Sequence, residues 1–182
     1  MQGDTQAFGV LVERYQDFIF TITLRMVKNR EEAEEVAQDS FIKAFESLAS
    51  FRGESKFSSW LYSIAYRKAL DRLRQQQRKR TTQLVEEATE GDAVLVENAL
   101  HYLEAKERSE IIQEAIMKLP EEEAAIITFY YFEAQSVKEI AAITSLTEDN
   151  VKIKLFRSRK KLYTLLKQFV IPEITKYNGQ AI

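Results

Sequence analysis

The sequence predicts an all-α protein: two small helical domains joined by a flexible linker. Three observations predict it. Apolar residues recur every three or four positions over most of the chain. The 182 residues include only 5 Gly and 2 Pro, which disfavours turn-rich β architectures. A stretch poor in large apolar residues and rich in acid separates two periodic blocks. Composition narrows the chemistry as well. With no Cys and one His, disulfides, thiol nucleophiles, thiolate zinc sites and almost every His-dependent mechanism are excluded. Met1 to Asp4 lack the basic-then-apolar profile of a signal peptide, and no run of 18 apolar residues exists. A cytoplasmic protein without membrane insertion is the expectation.

Each element follows from its own pattern. Phe8, Leu11, Val12, Tyr15, Phe18, Ile19, Ile22 and Met26 step by three and four, predicting a helix over Ala7 to Val27. Asn29, three residues before Glu32, is an N-cap with its reciprocal acid, and the period then continues to about Leu48. Ala49 to Ser55, with Gly53, break it. A third helix starts at Phe57 and carries Leu61, Ile64, Ala65 and Leu73 on its inner face. Domain one is thus residues 1–80, and an acidic linker covers 81–108 with a short helix near Leu95 to Leu103. Domain two covers 109–172, followed by a tail, 173–182. In it Pro120 suits the first turn of a helix, because its missing N–H is an orphan there, and Glu121 to Glu123 complement the helix dipole. That helix runs to about Phe132. Ser136 and Glu139 form a capping box for a helix of barely two turns. Thr144-Ser145-Leu146 interrupt it, and Thr147 caps a long last helix lined by Val151, Leu155, Ser158, Leu162, Leu165 and Phe169. A short helix, a three-residue break and a basic helix make a helix-turn-helix.

Charge placement points to a polyanion. Residues 1–80 carry a net +3, residues 81–112 carry −6 and residues 113–182 carry +1. Seven cations cluster between Arg67 and Arg80 and seven more between Val151 and Lys167, one stripe in each domain. In the helix-turn-helix the N-terminal residues of the second helix reach base edges. Asp149, Asn150, Lys152, Lys154 and Arg157 are offered outward there, with Arg159, Lys160 and Lys161 suited to phosphates. In the first domain Phe45, Phe51, Phe57, Trp60, Tyr62 and Tyr66 interleave with Arg52, Lys56 and Arg67. Aromatics beside cations form stacking platforms for unpaired bases. Tyr62 and Tyr66, one turn apart and off the inner face, are the two expected to be free.

These residues resemble a known family. Glu32 to Phe41 together with Phe51 to Ala65 resemble region 2 of bacterial RNA polymerase sigma factors, specifically the extracytoplasmic-function group of the sigma-70 family. Leu119-Pro120, Glu139-Ile140-Ala141 and the helix-turn-helix through Lys161-Leu162 resemble region 4. The resemblance implies that Glu34, Glu35, Val36, Gln38, Asp39 and Phe41 dock on the clamp helices of core RNA polymerase. It implies that Arg52, Lys56, Ser59, Trp60, Tyr62, Tyr66 and Arg67 capture and unpair the −10 element, while Arg72 and Arg74 hold backbone. The last helix, from its cap Thr147 through Lys161, would read the −35 element of promoter DNA. The resemblance also implies an anti-sigma factor as partner and an acidic linker along the RNA path. Ser145 stands where the family often has Gly, so a left-handed backbone would be costly there.

Two other readings stand beside this one. A stand-alone helix-turn-helix regulator would bind DNA without meeting polymerase, and Glu32 to Ala44 would then be ordinary core and surface. An enzyme would have to work through His101 or cations at Glu121 to Glu123, which the helix terminus explains more simply. No catalytic residue, metal, cofactor or small-molecule substrate is expected, and the free chain is expected to bind duplex DNA poorly.

Overall fold

In a computed structural model of the protein, residues 5–76, 100 and 104–178 are described, with side-chain surroundings for 6–76, 100 and 104–169. Seven α-helices lie among them. The first block holds α1 (Thr5–Val27), α2 (Arg30–Ser47), a 3-10 turn (Leu48–Ser50) and α3 (Phe57–Gln76). The second holds α4 (Ala105–Lys118), α5 (Glu121–Tyr131), α6 (Val137–Thr144) and α7 (Glu148–Asn178). No strand occurs among the described residues, as the all-α expectation requires. Most of the expected linker, its short helix and His101 lie outside the described residues; α4 begins at Ala105, inside the span read as linker.

Local chemistry explains the corners. Lys28 turns left-handed (φ 58°), and its amide donates to the Leu24 carbonyl at 2.8 Å, closing α1. Asn29 Oδ1 accepts the Glu32 amide at 3.0 Å and so caps α2, as expected. The reciprocal contact is replaced: the Glu32 carboxylate accepts instead from Gln76 at the end of α3. Pro120 sits one position earlier than expected, as the cap itself, its carbonyl accepting the Ala124 amide at 2.9 Å. Ser136 and Glu139 form the expected box, with Ser136 Oγ accepting the Glu139 amide at 3.2 Å and the Glu139 carboxylate accepting the Ser136 amide at 2.8 Å. After α6, Ser145 adopts φ 62°, ψ 26°, the left-handed corner that Gly enters without a Cβ penalty. Thr147 Oγ1 then accepts the Asn150 amide at 3.2 Å and starts α7.

The two blocks are not held apart. α1 and α3 pack against α5 and α6, so one apolar core runs through both. At the seam Phe129, fully buried, stacks on Tyr62 (centroids 5.9 Å, planes 27°) and touches Phe18 at 6.1 Å and Tyr66 at 6.4 Å. Polar pairs rim this stack. Ser59 Oγ donates to Gln135 Oε1 at 3.1 Å, Tyr62 Oη to Glu133 at 2.6 Å, and Lys56 pairs with Glu139 at 2.8 Å. In this arrangement the two modules share a core.

Candidate nucleic-acid interface

The helix-turn-helix presents its second helix outward. Val151, Leu155 and Ser158 are buried, and this sets the helix on α5 and α6. The opposite face carries Thr147, Asp149, Asn150, Lys152, Arg157 and Arg159, all exposed. Lys152 pairs with Asp149 at 3.0 Å, and that hydrogen bond holds its ammonium above the ordinary lysine range. Two of the expected contacts turn the other way. Lys154 reaches back to Glu122 at 2.8 Å and Lys161 to Glu123 at 2.7 Å, both half-buried. The Glu121 to Glu123 run therefore has a second purpose beyond the helix dipole. Glu121 faces Lys28 at 3.6 Å, and its two neighbours fasten α7 to α5. Lys160 lies over the Phe156 ring at 4.8 Å.

On α3 the expectation divides. Arg52, Lys56 and Arg67 are exposed and Trp60 is half-exposed, its ring against Phe51 at 5.2 Å and Phe57 at 5.5 Å. Tyr62 and Tyr66, expected to be free, are each 2% exposed, and Ser59 is buried too. Their face of α3 is off the first block's inner stripe, as its spacing says, but α5 and α6 cover it. Burial is the larger cause holding both phenols well above the ordinary tyrosine range, and for Tyr62 the Glu133 carboxylate adds to it. The basic stripe is partly matched within the block. Arg72 pairs with Glu35 at 2.9 Å, Arg74 with Asp71 at 3.1 Å, and Lys68 stands 4.0 Å from Asp39. Exposed pairs of this kind contribute at most about 1 kcal/mol each, so a phosphate can displace them.

The α2 face divides in the same way. Glu34, Glu35, Gln38 and Asp39 are exposed and Phe41 is half-buried. Val36, expected at a docking surface, is 2% exposed. It belongs to the packing of α2 on its neighbours, where the helix period puts it beside Ala33, Ala37 and Ala44.

Two residues of the seam, Arg25 and Phe129, were given no role by the sequence, and two on α7, Ile153 and Phe156, were not assigned to the DNA-facing set. Arg25, 3% exposed, donates to Thr128 Oγ1 at 2.6 Å and to Gln113 Oε1, with its guanidinium 4.5 Å from the Phe132 ring centroid. Phe129 forms the seam's centre. On α7, Ile153 (49% exposed) and Phe156 (54%) stand among the cations. Exposed aliphatic and aromatic side chains on a basic helix were the available signal for these two; for Arg25 and Phe129 there was none, since their partners are distant in sequence.

Comparison with known proteins covers both blocks. Residues 11–79 match the Sigma-70 region 2 family and residues 109–162 match Sigma-70, region 4. The chain is 35% identical over 170 residues to the ECF RNA polymerase sigma factor SigW of Bacillus subtilis, spanning 88% of this chain and 89% of that one. It is 34% identical over 170 residues to the RNA polymerase sigma-H factor of Pseudomonas aeruginosa, spanning 88% and 86%. Among solved structures, the sigma factor RpoE of Bartonella quintana, crystallised with the anti-sigma factor NepR, superposes with a TM-score of 0.67 at 18% identity, covering 89% of this chain and 98% of that one. CnrH, in complex with the cytosolic domain of CnrY, gives 0.58 at 23%, covering 91% of each. At those identities the two structures establish a shared fold.

Proposed function

This chain belongs to the extracytoplasmic-function group of RNA polymerase sigma factors, and on that premise we propose how its surfaces divide the work. The exposed acids of α2 with Phe41 dock on core polymerase. The first-block loop and α3, from Arg52 to Arg67, capture the −10 element and hold unpaired bases, with Arg72 and Arg74 on backbone. The outward face of α7, from Asn150 to Arg159, reads the −35 element in the major groove, where Asn pairs with adenine and Lys or Arg with guanine. Flipping a base costs a few kcal/mol, and stacking on an aromatic returns roughly 1 to 3 kcal/mol per base. The chain itself catalyses nothing in this reading; it acts in the cytoplasm, where polymerase and chromosome are. An anti-sigma protein is its natural inhibitor, and a surface that competes with polymerase is where such an inhibitor would bind.

One observation carries the reading: a single chain joins a region 2 match to a region 4 match, in that order, with the helix-turn-helix facing outward. Family membership favours it over the stand-alone regulator. The test is co-purification with core polymerase. The wild-type chain is expected to be retained, and the Asp39→Ala, Phe41→Ala double variant to lose about tenfold or more in affinity while its helical content is unchanged. Retention of duplex DNA by the isolated chain without any retention of polymerase would favour the regulator instead.

A further inference from the structure

The outward face of α7 carries two side chains that its charge does not account for. Val151, Leu155 and Ser158 are buried, and the stripe opposite them is Asp149, Ile153, Phe156 and Lys160, spaced by four, three and four. Ile153 is 49% exposed and Phe156 54%. Among the described residues of α7 these two are the exposed large apolar side chains, and neither belongs to the core. Such groups contribute little to the fold while they face water; covering them in a complex is favourable.

Their surroundings say what covers them. Arg157 and Arg159 are exposed and make no ion pair among the described residues, and the Lys160 ammonium stands 4.8 Å from the centre of the Phe156 ring. An apolar strip bounded by cations fits a polyanion with an apolar feature, not a plain apolar partner. Ile153 lies in the second turn of α7, near the end of the helix that enters a major groove. The hydrogen-bonding groups beside it are diverted: Lys152 is held by Asp149 at 3.0 Å, and Lys154 turns back to Glu122 at 2.8 Å. A branched aliphatic side chain cannot pair with the polar edge of a base. Set against guanine N7 and O6 or the cytosine amino group, it displaces water and returns no hydrogen bond, which opposes binding. The one apolar feature of the major groove is the C5 methyl of thymine.

We propose that Ile153 is a specificity-determining residue of α7, selecting a thymine in the −35 element through its C5 methyl, on a strip that Phe156 extends. The proposal rests on the reading of α7 as the −35 helix and deepens it by naming one base and the atom that is read. Covering a single methyl group against isoleucine is expected to be worth about fourfold in affinity.

Deoxyuridine provides the test, because it keeps the pairing edge of thymidine and lacks only the methyl. Core polymerase carrying the full-length chain is offered a duplex library randomised across both promoter elements, and the retained sequences are read. In the enriched site each −35 thymine is then replaced in turn by deoxyuridine. The wild-type chain is expected to lose about fourfold in affinity at one thymine. Ile153→Ser is expected to bind the thymine site about fourfold more weakly and to bind its deoxyuridine form equally well, so that discrimination at that position disappears. Ile153→Val keeps the preference for thymine. Position 153 is exposed, and unchanged helical content in both variants shows that the fold is intact.

The proposal is overturned if the enriched −35 site holds no thymine, if no thymine there is sensitive to loss of its methyl, or if the sensitivity survives in Ile153→Ser. It is also overturned if Ile153→Ser weakens assembly with polymerase and leaves DNA selection unchanged, which would make the strip a protein contact. A chain that never joins polymerase but retains duplexes by itself ends the sigma-factor reading, and the same deoxyuridine comparison on that complex then decides the role of Ile153. A chain that retains no sequence in either form overturns both.

Discussion

The two candidate DNA surfaces of this molecule are built alike and exposed differently. Both are helices with cations on one face and apolar residues on another. On α7 the candidate face, from Asn150 to Arg159, is open to solvent, while Lys154 and Lys161 turn back to Glu122 and Glu123. On α3 the aromatic pair Tyr62 and Tyr66 is buried beneath α5, and Ser59 is closed off with it. The difference teaches that helical spacing determines which residues share a face, not which faces meet solvent. α3 has two buried faces, one supplied by its own block and one by the other.

The largest expected effect comes from the side chain that creates this difference. Phe129→Ala removes the ring that covers both tyrosines and belongs to the second block's own core. It is expected to cost about 3 to 5 kcal/mol in a urea melt. If the blocks were independent, the α1 and α3 side of Phe129 would be solvent, and a loss confined to the second block's own transition would be observed. A single transition shifted as a whole sharpens the comparison; two separate transitions with the first block unmoved would break it.

A smaller effect tests the rim. The Glu139 carboxyl is held down at about 2 from its ordinary 4.5, chiefly by its hydrogen bond to Lys56 across the seam and then by the Ser136 amide and hydroxyl. A depressed carboxyl contributes stability that is present above pH 4.5 and is lost as pH falls from there towards 2. Glu139→Gln is therefore expected to be less stable than wild type at pH 7, with the gap closing between pH 4.5 and about 2. Solvent screening keeps that gap to about 1 kcal/mol or less. Urea midpoints at pH 7, 5 and 3 check it, and a gap that stays constant over that range would show that the pair across the seam is not formed.

Legibility in the sequence follows the range of the interaction. Contacts within four residues were readable: the Asn29, Ser136 and Thr147 caps and the inward Val151 and Leu155, whereas the left-handed corner at Ser145 was signalled only by the family resemblance. Apolar periodicity also separated α1, α2 and α3 to within a residue or two, because each stripe records a demand for burial. Beyond that range the pattern was silent. Nothing near Tyr62 specifies that Phe129 will stack on it, and nothing near Arg25 specifies Gln113. Val36 shows the same limit from the other side. A resemblance assigned it to a docking surface, whereas its place in the helix period, beside Ala33 and Ala37, assigned it to the core. The outward face of α7 was legible because exposed positions keep their charges in the sequence.

Locking the seam gives the most direct test that the proposed −10 surface must be uncovered. In the Lys56→Cys, Glu139→Cys variant, whose side chains meet across the seam in the native chain, a cleavable bismaleimide would join the blocks in a protein with no other thiol. Transcription is then measured with core polymerase and a −10/−35 promoter, before and after cleaving the linker. The account predicts no open complexes from the joined form and recovery to the level of the uncrosslinked variant after cleavage. Full transcription from the joined form would contradict it.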